Sequence, residues 1–456
     1  MTMRPLILAV LCALVILPGA SCGGGGTRYS GDRVEVVFWH SMGGLNGDAL
    51  QTMIDGFNDS QDEYRVRAIF QGGFADSLKK FVSSFGTDSM PAMVQLDDIQ
   101  LRFMVDSEAT VAPQSFIERD AASGDTSSLQ LDLPDIEPRA IDYYTLDGAL
   151  RAVPFNLSGP VLYYDRDAFR EAGLDPERPP TTLDEVRAYS ERLLARDAGG
   201  AIVRNGIALN ISPWYFEQML AKQGALYANN GNGREDLATD VVFDGPAGEE
   251  ILAWWGGMVD DGLATNVGRQ GLQALLAVLT GKSAMAIEST AVMRSVLAAL
   301  GAGASRFGAG PLPAPQGEGG GIVLGGAAVW ITRDRPEEEQ LGAWEFLKYA
   351  TQPQVQAQWH FDTGYFPVST SAWDLEPAAT LHRDFPQFAA AREQVLLSPR
   401  NPVTAGAVVG PFTQVRDSVS EAFERVLVGG ETPAKALERA AEEADRAIER
   451  YNRSVR

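Results

Sequence analysis

Cysteine is almost missing from this 456-residue chain: there are two, Cys12 and Cys22, both in its first segment. Past that segment no internal disulfide can form, so a sizeable apolar core must hold the fold, and the chain is long enough to build one. Histidine is nearly as scarce. His40, His360 and His382 are far apart in sequence and show no metal-ligand spacing. Positive charge is in deficit too, with 38 Lys and Arg against 60 Asp and Glu and a formal net charge of −22. That balance excludes a nucleic-acid binder, which needs a basic face to displace counterions. It equally disfavours a broad electrostatic membrane surface.

Enzyme signatures are missing as well. Gly281-Lys282-Ser283 ends like a phosphate loop, but Leu276 stands where the earlier glycine must be. Gly301-x-Gly303 has Arg306 in place of the third glycine. No Gly-x-Ser-x-Gly elbow exists. Asp97 and Asp98 are adjacent, and neighbouring strand residues point to opposite faces, so they make no simple catalytic pair. The chain is read as a non-enzyme without a cofactor or metal.

What is present begins with an export signal. Arg4 gives a basic start, residues 5–18 form an apolar run too short to span a membrane comfortably, and Gly19-Ala20-Ser21 lead to Cys22. This is the layout of a signal peptide over residues 1–21. Its end resembles a bacterial lipobox, which would make Cys22 a lipidated first residue, anchored at the outer face of the cell membrane. Residues 22–33, opening with four glycines after the cysteine, read as a flexible tether.

The mature chain exceeds one comfortable core, so two or three domains are expected. Residues 34–39 (VEVVFW), 65–70 and 92–96 read as strands, with amphipathic helices at 48–57 and 74–85 between them. That β-α-β-α-β rhythm predicts an α/β domain with a mostly parallel sheet. Residues 151–167 (RAVPFNLSGPVLYYDRD) hold a short polar run between Pro154 and Pro160, then a buried-strand pattern. A stiff connection entering a strand reads as a hinge between two lobes.

Ligands of such sheets sit beyond the carboxyl ends of strands. The candidates there are His40, Asp98, Ser158, Ser289 and Thr290. Gly325 and Gly326 allow a close backbone approach. Phe74, Trp214 and Tyr365 could stack on a sugar ring, while Asp98 could accept paired hydroxyl hydrogen bonds.

Several motifs together resemble the family-1 extracellular solute-binding proteins of ABC importers, the maltose-binding relatives, and among them the glycerol-3-phosphate-binding branch. They are FWHSM at 38–42, PFN at 154–156, PVLYY at 160–164, AGLDP at 172–176, GGA at 325–327 and TGY at 363–365. The resemblance implies a two-lobed type II periplasmic-binding-protein fold, each lobe a mostly parallel sheet flanked by helices. It implies a hinge crossed about three times, near Pro154, Gly325 and residue 400. Residues 34–155 with 325–400 would form one lobe, and 156–324 with 401–456 the other. It also implies a monomer that captures a small solute and hands it to an ABC permease.

Carried over one at a time, the branch's ligand positions fall on Phe74 (Tyr there), Asp98 (Glu there), Ser158, Trp214, Thr290, Gly326 and Tyr365. In residues 406–410, where the branch has a phosphate-gripping arginine, this chain has Val408, and Arg400 or Arg416 would have to substitute. A buried phosphate without such a donor is costly. The expected solute is therefore a neutral sugar, a short oligosaccharide or a glycerophosphodiester. The alternative is a secreted carbohydrate-active enzyme or a ligand-sensing receptor.

Overall fold

The computed structural model describes residues 27–124, 129–269, 271–315, 317 and 319–455. The expected signal peptide, Cys22 and the glycine run lie outside the described residues. The end of the expected tether is structured: Tyr29–Ser30 folds back antiparallel on Arg33 and Val34. No helix among the described residues is long and apolar enough to cross a membrane.

Two sheets organise the chain. In the first, Arg33–His40, Tyr64–Phe70 and Met93–Asp97 run parallel, as β-α-β units require. Helix Gly44–Ser60 connects the first two and buries Leu50, Met53, Ile54 and Phe57 at helical spacing. Gly325–Thr332 then inserts antiparallel beside Met93–Asp97, and Val153–Ser158 pairs antiparallel with it. The second sheet has Ile202–Leu209 parallel to Ser283–Ser289, with Pro160–Asp165 antiparallel between Ser283–Ser289 and Phe307–Pro311. Both sheets are thus mixed rather than mostly parallel, because segments arriving from the other sheet enter without a crossover helix.

The stretch 153–158 is a fully buried strand, not a turn-like connection. Its prolines fit because Pro154 lies where the register with Ala327–Ala328 shifts and Pro160 opens the next strand. The chain leaves the first sheet at Ser158 and enters the second at Pro160, so Gly159 alone separates them. It returns between Pro311 and Gly325. Farther on, helix Pro353–Thr363 packs on Gly44–Ser60 of the first unit, whereas Gln387–Leu397 packs on Phe307–Pro311 of the second.

Each sheet has its own core. Phe38, Phe57, Phe155, Trp344 and Phe346 fill one side of the first. Phe216, Trp255, Phe423 and Val419 fill the second, closed over by helices Phe412–Leu427 and Pro433–Ser454. Packing of this kind replaces the disulfides the sequence lacks.

Candidate functional site

Between the sheets lies a cavity of about 30 Å³, room for little more than a water molecule. Asp98, Tyr143, Trp214, Glu217, Tyr227 and Arg416 line it, among others. Asp98 begins the turn after strand Met93–Asp97. Trp214, Glu217 and Gln218 come from the first turns of helix Pro213–Lys222, where i, i+3 and i+4 share a face. Arg416 lies one turn into helix Phe412–Leu427.

The charges decide what this cavity can hold. The Arg416 guanidinium forks onto Glu217, Nε donating to Oε1 at 2.8 Å and a terminal nitrogen to Oε2 at 2.7 Å. Its Cζ lies 5.3 Å from the centre of the Phe412 ring. Burial alone would loosen Arg416's proton, but Glu217, Asp98 and Asp97 outweigh it and hold the pKa above its ordinary value. Asp98 accepts one hydrogen bond, from the Ile99 N–H at 2.8 Å. Burial raises its carboxyl to about 7, with Arg416 pulling down and Asp97 and Glu217 pushing up. With Glu217 set against Arg416 and Asp98 raised to about 7, the described lining carries no net positive charge.

Of the predicted residues, Asp98 and Trp214 line this cavity. Trp214 also covers the strand Gly325–Thr332: a Cβ on Gly325 would lie 2.8 Å from its indole. Gly326 has φ +133°, and a Cβ there would lie 1.8 Å from the Asn156 carbonyl oxygen. The close approach these glycines permit is made by the protein's own indole and backbone. Ser158 is buried opposite Gly325 in the hinge strand.

Other predicted residues have structural partners here. Thr290 is fully buried, its Oγ1 accepting from the Gly159 N–H at 3.2 Å and its own N–H donating to the Gly159 carbonyl at 3.0 Å. It therefore clasps the single hinge residue. Ser289 Oγ accepts from the Ala291 N–H at 3.2 Å and caps its own turn. His40 is buried between Phe38 and Phe70, Nδ1 accepting from the Met42 N–H, and burial lowers its pKa to about 4. Phe74 opens helix Phe74–Ser83 and packs half-buried on the first core. Tyr365 is buried and stacked on Trp359, centroids 6.0 Å apart and planes 7° apart.

Of the two arginines considered in place of the branch's, only Arg416 lines the cavity; Arg400 forks onto Asp142 at 2.6 and 2.7 Å with its side chain half exposed. The Val408 side chain packs in the core with Leu96, Tyr143 and Trp330, and its N–H donates to Asn232. Arg234, which the sequence reading passed over, donates to the carbonyls of Asp142, Tyr143, Ala405 and Gly406 and fixes one wall. Glu217 was also missed, although its spacing from Trp214 was a usable signal. His360 and His382 were read as distant, yet their Nε2 atoms are 2.7 Å apart. Folding joins them, and still no group of three metal-ligating side chains exists among the described residues.

Comparison with known proteins is consistent with this geometry. Residues 52–386 match a family model described as bacterial extracellular solute-binding protein. The chain is 30% identical over 427 residues to the sn-glycerol-3-phosphate-binding periplasmic protein UgpB of Yersinia pseudotuberculosis, covering 92% of this chain and 93% of the relative. Among solved structures, UgpB from Mycobacterium tuberculosis in complex with glycerophosphocholine superposes with a TM-score of 0.76 at 22% identity, covering 92% and 99%. The cyclic alpha-maltosyl-1,6-maltose binding protein from Arthrobacter globiformis gives 0.72 at 24% identity, covering 92% and 100%. Both likenesses establish the two-lobed fold.

Proposed function

The chain belongs to the bacterial extracellular solute-binding protein family, and we propose that it captures a neutral polyhydroxylated solute between its lobes for an ABC permease. The solute is a sugar, a short oligosaccharide or the glycerol end of a glycerophosphodiester. One observation carries this choice over glycerol 3-phosphate: the Nε edge of the Arg416 guanidinium is forked onto Glu217, whose carboxylate offsets its charge. A phosphomonoester would meet Asp98 and Glu217 with no uncommitted cation among the described cavity residues. Carboxylates beside Trp214 and Tyr143 suit hydroxyl groups and the apolar face of a pyranose instead.

In this reading the expected bounds, 34–155 with 325–400 and 156–324 with 401–456, shift to 34–158 with 325–363 and 160–311 with 387–454, because strand Val153–Ser158 is continuous and Gln387–Leu397 packs on Phe307–Pro311. The ligand set is Asp98, Trp214, Ser158 and Tyr365; Gly325 and Gly326 seat the Trp214 indole and the Asn156 backbone, Thr290 holds Gly159, and His40, Phe74 and Ser289 support the surrounding turns. The protein is an exported monomer held by a lipid on Cys22 and performs no catalysis. Glu217, the partner a glycosidase pair with Asp98 would require, is engaged by Arg416.

A thermal-shift screen with maltose, mannobiose, glycerophosphocholine and glycerol 3-phosphate tests the reading. A ligand at a hundred times its Kd raises stability by about 2.7 kcal/mol. A neutral solute should shift the melt and be recovered unchanged. A shift with glycerol 3-phosphate alone would overturn the neutral-solute assignment, and consumption of the solute would overturn the transport role.

A further inference from the structure

Asp106 ends the short helix Leu101–Asp106, which follows the Asp98 turn directly and packs Leu101 and Met104 against Leu96 and Trp330 of the first unit. Tyr451 lies near the end of helix Pro433–Ser454, which buries Ala444 and Ile448 in the core of the second. The Tyr451 phenol donates to Asp106 Oδ2 at 2.9 Å. Arg102 forks onto the same carboxylate, Nε donating to Oδ2 at 2.8 Å and a terminal nitrogen to Oδ1 at 2.6 Å. Arg102 and Asp106 share a helical face at i and i+4, so the acceptor is held independently of the phenol. The phenol is seated as well. A Cβ on Gly410 would lie 2.0 Å from the Tyr451 ring, and the next residue, Asn452, donates to the Ala238 carbonyl at 2.9 Å. Burial and the Asp106 carboxylate hold the phenol's pKa above its ordinary value, so it remains a donor. A second bond joins the two units, from Gln100 Nε2 to Thr413 Oγ1 at 3.4 Å. Asp98 and Gln100 share one turn, and Thr413 and Arg416 share another. The two bonds therefore tie the elements that present Asp98 and Arg416 to the cavity, and neither Asp106 nor Tyr451 is among its described lining residues.

We propose that the Tyr451–Asp106 hydrogen bond is a latch that holds the lobes closed over a captured solute and sets affinity without touching it. Parting the lobes about Gly159 separates the phenol from the carboxylate, and closing them restores the bond. A solute that binds only the closed form gains the same factor from the latch whatever its chemistry. With a charged acceptor fixed by Arg102, that factor is about tenfold. This rests on the reading above, in which the two residues belong to opposite lobes and the solute lies between them. Arg139, Arg234 and Arg400 also join the lobes, through helix Pro138–Tyr144 and residues 396–406. They grip the stretch that leads into the hinge strand, whereas Asp106 is carried by the element that presents Asp98.

The test uses Tyr451→Phe, Asp106→Asn and the double variant in the whole protein. Calorimetry with maltose, mannobiose and glycerophosphocholine should show Tyr451→Phe weakening each one that the parent binds by a common factor of about tenfold. The double variant should bind no more weakly than the weaker of the two single variants. Stopped-flow mixing should place the loss in the dissociation rate, since the latch acts after the solute has entered. Full affinity in Tyr451→Phe would overturn the latch. So would a loss confined to one solute, which marks a residue that touches it. If the parent binds none of the three, the solute assignment fails and solution scattering decides the latch by itself. Solute-free Tyr451→Phe should then have a larger radius of gyration than the solute-free parent, and equal radii would overturn the proposal.

Discussion

Arg416 carries the only guanidinium among the described cavity residues, and one neighbour, Glu217, determines whether it is available. Glu217→Gln should free it, and glycerol 3-phosphate should then bind at least tenfold more tightly than to the parent, read by calorimetry. No gain would show that the fork does not exclude phosphate. Arg416→Met strands a buried carboxylate and should cost about 3–5 kcal/mol in urea denaturation. Asp98 supplies a pH signature. Its carboxyl is raised by burial to about 7 when folded, against about 4 in an unfolded chain. Its stabilising contribution is therefore full below about pH 4 and is lost as pH rises through about 7. His360 and His382, lowered by burial to about 3 and about 4, run the other way: their contribution is present above the ordinary 6.5 and lost as pH falls. Asp98→Asn removes the first trend alone, so its melting temperature relative to the parent should climb between pH 4 and 7. A flat difference would mean that Asp98 does not titrate there.

Among the elements, the hinge strand Val153–Ser158 and its partner Gly325–Thr332 bear the strictest constraints. Gly326→Ala meets both a positive φ and the Asn156 carbonyl, and a loss on the order of 3 kcal/mol or more is expected by denaturant titration. Gly325→Ala meets the Trp214 indole, which can swing away. It should therefore weaken solute binding more than folding, and the reverse pattern would place Trp214 outside the site. The sequence identified the strands and their carboxyl ends, and of the candidates placed there by pattern Asp98 and Trp214 line the cavity. The strand character of residues 153–158 was obscured by Pro154 within it and Pro160 just beyond, because a single sequence does not display the register shift that accommodates Pro154.

At the scale of the molecule, a 30 Å³ cavity is far smaller than a disaccharide, so capture there predicts that the lobes part about Gly159 and the return segment first. Solution scattering should give a larger radius of gyration without solute than with it. Identical radii would mean that capture needs no closure. By itself the sequence determined the local elements of an α/β chain, because periodic apolar residues dictate them, and its motifs carried the family resemblance. Tertiary structure alone decided the chemistry of the cleft. Glu217 and Arg416 lie 199 positions apart, and whether a side chain's charge is free to meet a solute is set by the partner folding brings to it.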